Sequence, residues 1–227
     1  RVICSLVKDK KDIGKESLNH IEAKMGGVQL ELHSTPVILN NPLHNNRLQR
    51  WLRRNADFQC GNLVTIVSEK GMAAIPTLSF NVVYQLLHLF HHYFYEGIGL
   101  RQFLDYYFVI INAEGGVGKD IQLTLRRLGL WKFAGAVMYV LHEVFALTED
   151  KMIAPMDELR GRLLLEEVLR VGNFGQHDES HHHLQGAVGH NILRLQRDFR
   201  LLRYYPEEAL AEPFFRLWHF VWRWRHA

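Results

Sequence analysis

Residues 80–107 read FNVVYQLLHLFHHYFYEGIGLRQFLDYY. Phe80, Val83, Leu87 and Phe90 recur at helical spacing, and Ser79 stands where an N-cap belongs. The run breaks at a glycine-containing turn around Gly97 and Gly99, after which a second apolar helix begins. His88, His91, His92, Arg101 and Asp105 are set among the hydrophobic positions. Polar groups of this kind cost free energy when taken out of water, so they need partners or a ligand.

From this helical pair the reading extends to the C-terminus. Periodicity predicts helices over 80–95, 99–113, 118–129, 131–146, 157–171, 187–203 and 207–225. Leu128-Gly129-Leu130 and Thr148–Pro155 are natural breaks, and Gly172–Gly189 reads as a long loop.

Upstream the pattern is mixed. Val2–Val7 fits a helix tail or a short strand. Ser17–Lys24 and Val28–His33 flank Met25-Gly26-Gly27, a hairpin signal. Side chains alternate along a strand, so His20 and Glu22 share one face, and Gln29, Glu31 and His33 share one face of the next strand. Thr35–Asn46 reads as a loop, Arg47–Ala56 as a short basic helix, and Leu63–Val67 with Met72–Pro76 as a second hairpin. The predicted class is α+β and predominantly helical: a remnant of a small mixed sheet within residues 1–78, then a helical domain over 79–227.

The 227 residues suffice for one large or two small domains, and 48% hydrophobic with 22% charged residues is ordinary for a globular chain. No apolar run approaches the roughly 20 residues needed to span a bilayer, so no membrane partner is expected. The opening RVICSLVKDKKDIGK lacks a long apolar region and a small-residue cleavage site. Cys4 and Cys60 are too few for a disulfide scaffold and read as reduced thiols of a cytoplasmic protein. A net charge of +3 suits phosphate handling but is no strong nucleic-acid footprint. The chain opens on Arg1 in what reads as mid-element, which leads us to expect residues upstream of it.

Several motifs compete for a chemical role. Ala113–Asp120 imitates a phosphate-binding loop, but Ala113 replaces its first glycine, Asp120 its hydroxyl residue, and a helix precedes it. It reads as an interhelical turn. His88 and His92 are one helical turn apart, a spacing that lets two imidazoles meet one metal ion or bond as structural histidines between helices. Arg101 and Asp105 are at i,i+4, where the local reading is an ion pair worth a few tenths of a kcal/mol. The cluster Gln176–His183 lies in one polar loop and reads as solvated. Arg194, Arg197, Arg200 and Arg203 form a stripe of the kind that usually meets solvent. The final PFFRLWHFVWRWRHA resembles some membrane-surface helices, but docking of a C-terminal helix on the core accounts for its aromatics too and is the expected outcome.

Separated pieces of the chain resemble one family: Val28–His33, Asn81–Asp105 with its Gly97–Gln102 centre, Gly172–Gly175, Tyr204–Ala209 and Pro213–Phe215. In order and spacing they are similar to the uncharacterised bacterial nucleotidyltransferases of the polymerase-β-like superfamily. The resemblance implies a small sheet on which two Asp at i,i+2 and a third carboxylate hold two Mg²⁺ ions against a nucleoside triphosphate. An unknown acceptor hydroxyl then attacks the α-phosphorus. It makes Glu31 the candidate third carboxylate and metal ligand. It also sets His33, Arg47, His88, His92, Arg101 and Asp105 as candidate nucleotide- or acceptor-binding residues.

The departure from that pattern is that no Asp-x-Asp or Asp-x-Glu occurs in the 227 residues. The expectation is therefore a nucleotidyltransferase-family chain that is inactive as given. A non-catalytic nucleotide-binding or regulatory protein is the alternative, and a histidine-based metal-dependent hydrolase a weaker one.

Overall fold

Alternation between His20 and His33 produces two strands of a three-stranded antiparallel sheet. In the computed structural model, which describes residues 13–16, 20–25, 28–33, 35–67, 71–95, 97–113, 118–171 and 201–226, the strands are β1 (Ile13–Glu16), β2 (His20–Met25) and β3 (Val28–His33), in the order β1-β2-β3. The β2–β3 register sets His20 opposite His33, Glu22 opposite Glu31 and Lys24 opposite Gln29. Directly opposed positions share a face, so the two polar faces expected separately are one. Ala23 lies on the other side, opposite Leu30, and is buried. β1 is an addition to the expected hairpin: its four residues, IGKE, are too short and too polar to show alternation. The mixed sheet expected here is antiparallel in all its described pairings.

The chain divides into two compact units, Arg1–Ile38 and Leu39–Ala227. The partition drawn from sequence at 78/79 followed the onset of helical spacing after Ser79. The second hairpin, β4 (Leu63–Val67) with β5 (Gly71–Ala74), falls in the second unit with the helices.

The second unit opens with α1 (Pro42–Gly61), 20 residues long and twice the span expected. Asn41 and Pro42, which suggest a loop by composition, are its start signals. The Asn41 side chain accepts hydrogen bonds from the N–H groups of Leu43 at 3.0 Å and His44 at 3.2 Å, and Pro42 occupies a first-turn position that needs no N–H partner. Trp51 of α1 stacks on Phe80 at 4.7 Å.

Phe80 belongs to α2 (Leu78–Tyr95), which starts ahead of Ser79 and so makes that residue part of its first turn rather than its cap. Gly97 takes φ +94, open to glycine at little cost, and turns the chain into α3 (Leu100–Ile111). The Gln102 side chain accepts from the Gly99 N–H at 3.2 Å. The buried Tyr106 hydroxyl donates to the Val82 carbonyl at 3.0 Å, pinning α3 to α2.

Two helices follow, α4 (Lys119–Arg127) and α5 (Trp131–Phe145). α4 buries Leu125, whereas α5 is apolar around most of its circumference and buries Phe133 through Met138, Val140 and Leu141. A helix of that composition belongs at a core's centre. α6 (Glu158–Val171) packs on it, and α7 (Pro206–His226) ends the described chain. Residues Tyr93, Phe94, Phe133 and Tyr205 form one aromatic cluster, with ring centres 5.1–6.3 Å apart.

Val2–Val7, Cys4, most of the helix expected over 187–203, the histidine-rich loop and Arg194, Arg197 and Arg200 lie outside the described residues. Cys60 is a free, exposed thiol. Among the described residues no helix is long and apolar enough to cross a membrane.

Candidate functional site

The residues singled out by sequence fall on both units. Glu31 and His33 stand on β3 of the first, opposite Glu22 and His20. Glu22 and Glu31 occupy directly opposed strand positions, and carboxylates are the residue type whose hard oxygens suit Mg²⁺. The donor chemistry fits. Its number is incomplete, because among the described residues no group of three or more His, Cys, Asp or Glu could hold a metal ion. Glu22 joins the candidate residues through strand alternation, but only the register pairs its position with Glu31.

In the second unit, His88 and His92 meet through their Nε2 atoms at 2.9 Å, the rings nearly perpendicular. One ring donates and the other accepts, which fixes complementary tautomers. The bond runs along α2 itself, not between helices as the structural reading expected.

Arg101 and Asp105 lie on α3, both exposed. The i,i+4 ion pair expected between them is not formed, and neither residue makes an ion pair among the described residues. Leu104 and Phe108, also exposed, stand on the same helix face at i+3 and i+7 from Arg101. Arg47 on α1 is engaged elsewhere: its Nη1 donates to the Arg127 carbonyl at 3.1 Å, closing the C-terminal end of α4.

A concavity that sequence reasoning missed lies within this unit. It is a cleft of about 340 Å³ at the N-terminal end of α5, lined by residues that include His44, Arg126, Trp131, Lys132, Tyr205 and Glu207. The Arg126 guanidinium lies 3.6 Å from the centre of the Trp131 ring, a cation–π contact. His44 Nε2 approaches Glu207 Oε2 at 3.4 Å. Burial holds His44 below its ordinary pKa; Glu207 pulls it up and Arg47 pushes it further down.

Gly129 shapes the cleft floor. It has φ +76, and a side chain there would overlap the His44 imidazole. Sequence showed the Gly129 break but not what crosses it, since Tyr205 and Glu207 arrive from a distant part of the chain. The cleft offers cations, a carboxylate and an aromatic plate, a mixed lining suited to a polar ligand with an anionic group.

Residues 7–146 match the model of the uncharacterised nucleotidyltransferase family, and the chain belongs to that family. No curated protein and no solved structure matches it. The matched span includes β1–β3 with Glu22, Glu31 and His33, and α2–α3 with His88, His92, Arg101 and Asp105.

Proposed function

We propose that the chain handles nucleotide and acceptor in nucleotidyl transfer. An acceptor hydroxyl oxygen bonds to the α-phosphorus of a nucleoside triphosphate, the bond from that phosphorus to the β-phosphate bridge oxygen breaks, pyrophosphate leaves, and the hydroxyl proton passes to solvent or a base. The observation that carries this reading is the family match over residues 7–146.

Mg²⁺, when bound, neutralises phosphate charge and aligns the reacting oxygens. Glu31, with Glu22 opposite it, is the part of this chain we assign to holding the metal. Arg101 stands in the first turn of α3, where unpaired N–H groups add positive potential, and is assigned to a phosphate group. That it makes no ion pair among the described residues supports that role. Asp105 orients the guanidinium once ligand is present, His88 and His92 of the same unit are assigned to the nucleotide or acceptor, and His33 is assigned to it separately, from the first unit.

These residues supply no Asp-x-Asp pair, so the proposal is binding without turnover by this chain alone. That observation also favours a non-catalytic nucleotide-binding or regulatory role as the second reading. The test is incubation with α-labelled triphosphates and Mg²⁺. The expected result is bound label with no transfer to any acceptor or to the protein. Metal-dependent incorporation of label by this chain would overturn the inactive assignment.

A further inference from the structure

Helix α7 has one covered face and one bare one. Phe215, His219 and Trp222, partly covered, form a stacked ladder with ring centres 6.1 and 6.0 Å apart. Docking on the core was expected to account for the aromatics of this segment; among the described side chains, these three are the half-covered ones. Leu210, Phe214, Leu217, Val221 and Trp224 remain exposed, from 39% at Val221 to 80% at Trp224. Their spacing alternates four and three residues, the repeat that keeps an apolar seam on one side of a helix. Trp218 and Phe220 flank the seam and are also exposed. A contiguous apolar face of this size marks an interaction surface.

We propose that this face is the interface of a homodimer, in which α7 packs antiparallel against α7 of a second copy about a two-fold axis near Leu217. Three observations select a second copy as the occupant. First, the stripe is nearly symmetric about Leu217: Leu210 and Trp224 stand equally far on either side, and Phe214 mirrors Val221 within one residue. A two-fold contact needs such a self-complementary patch, and the antiparallel arrangement sets the smaller Leu210 and Val221 against the larger Trp224 and Phe214.

Second, charge runs along the sequence of the helix, with the exposed Glu207 near its start and Arg223 and Arg225 near its end. Antiparallel pairing brings opposite signs and opposite helix dipoles side by side, whereas parallel pairing brings like beside like. Third, the area suffices. An aromatic side chain buries about 150–250 Å², so four half-exposed or barer aromatics with three aliphatic neighbours approach the roughly 800 Å² per partner of a stable interface. Pro213 interrupts the helix ladder before the stripe's longer part, and Phe214–Trp224 continues beyond it without another break.

The test is the mass of the full chain in solution at tens of micromolar, by light scattering during size exclusion, for the native sequence, Leu217→Asp and, as control, Phe108→Asp. The expected result is twice the monomer mass for the native chain and the control. Leu217→Asp weakens association by about tenfold or more, the effect of a charge at the centre of an apolar interface. Circular dichroism checks that the variants remain folded, which the exposure of both positions favours. Orientation is read by oxidation after Cys4 and Cys60 are replaced by Ser. Leu217→Cys cross-links to itself, and Leu210→Cys cross-links to Trp224→Cys in a mixture but not to itself.

A monomeric native chain would overturn the proposal, as would Leu210→Cys joining to itself. So would a monomer that sediments with anionic phosphatidylserine vesicles through Leu217, which would assign the face to a lipid surface.

Discussion

Glu208 accepts a hydrogen bond from the backbone N–H of Asn40 at 2.8 Å, across 168 positions of sequence. Both residues are buried, and Asn41, next along, caps α1 while its side-chain amide reaches the Glu207 carbonyl at 3.4 Å. The start of α7 and the start of α1 therefore hold each other. This gives the Tyr204–Ala209 segment a structural task beyond the span of the family match. Glu208→Ala should cost about 1–3 kcal/mol, because it leaves a buried N–H without its acceptor. Glu208→Gln keeps an acceptor oxygen and should cost less. Urea midpoints of the two variants check the order, and equal losses would contradict it.

Two buried tyrosines should respond oppositely to losing their hydroxyls. Tyr106 donates to the Val82 carbonyl, so Tyr106→Phe should cost about 0.5–1.5 kcal/mol. The Tyr205 hydroxyl is buried and makes no hydrogen bond among the described residues. Tyr205→Phe removes an unsatisfied polar group while keeping the ring in its aromatic cluster, so stability should be unchanged or higher. Burial pushes both phenols well above their ordinary pKa of 10.0, so neither should ionise in the range where the protein is handled. Denaturant titration of the two variants separates them.

His44 sets a pH dependence whose sign follows from burial. Its folded pKa lies below 6.5, so between that lower value and 6.5 the unfolded chain binds the proton more readily than the folded one. Stability from keeping His44 neutral is present above 6.5 and is lost as pH falls through the folded pKa. His44→Gln should therefore shrink the difference in unfolding midpoint between about pH 7.5 and about pH 5. An unchanged or larger difference in the variant would count against this origin.

Arg101 and Asp105 are exposed and make no ion pair among the described residues, so folding should not depend on them. Arg101→Ala and Asp105→Ala should each shift stability by no more than about 0.5 kcal/mol, as surface substitutions do. Under the proposed function Arg101→Ala should nevertheless weaken nucleotide binding. Thermal unfolding with and without Mg²⁺-nucleotide reads both effects in one experiment: equal midpoints without ligand, and a smaller ligand-induced rise in the variant.

The helical half was legible because α2, α3, α5 and α6 write their periodicity locally. Their boundaries agree with the spacing of Phe80, Val83, Leu87 and Phe90 and with the breaks at Gly97 and Gly129. α1 was underestimated because Asn41 and Pro42 signal a loop by composition and a helix start by position. The short strand β1 had too few residues to show alternation.

The arrangement of the candidate residues was legible only where it is local. Strand alternation set Glu31 and His33 on one face, and i,i+4 spacing joined His88 to His92. Register was needed to bring Glu22 opposite Glu31, and long-range packing to gather His44, Trp131 and Glu207 around one cleft. The bare face of α7 was present as a pattern, but whether Leu217 or Phe215 faced the protein depends on which side the core claims.

Calorimetric titration of the full chain with ATP, CTP, GTP and UTP in Mg²⁺, alongside Glu31→Ala and Arg101→Ala, addresses the proposed function most directly. The account predicts saturable, Mg²⁺-dependent binding of at least one triphosphate, weakened about tenfold or more by each substitution, the 1.4 kcal/mol expected from losing one charge-assisted contact. Absence of binding to all four nucleotides, or binding that both substitutions leave unchanged, would contradict it.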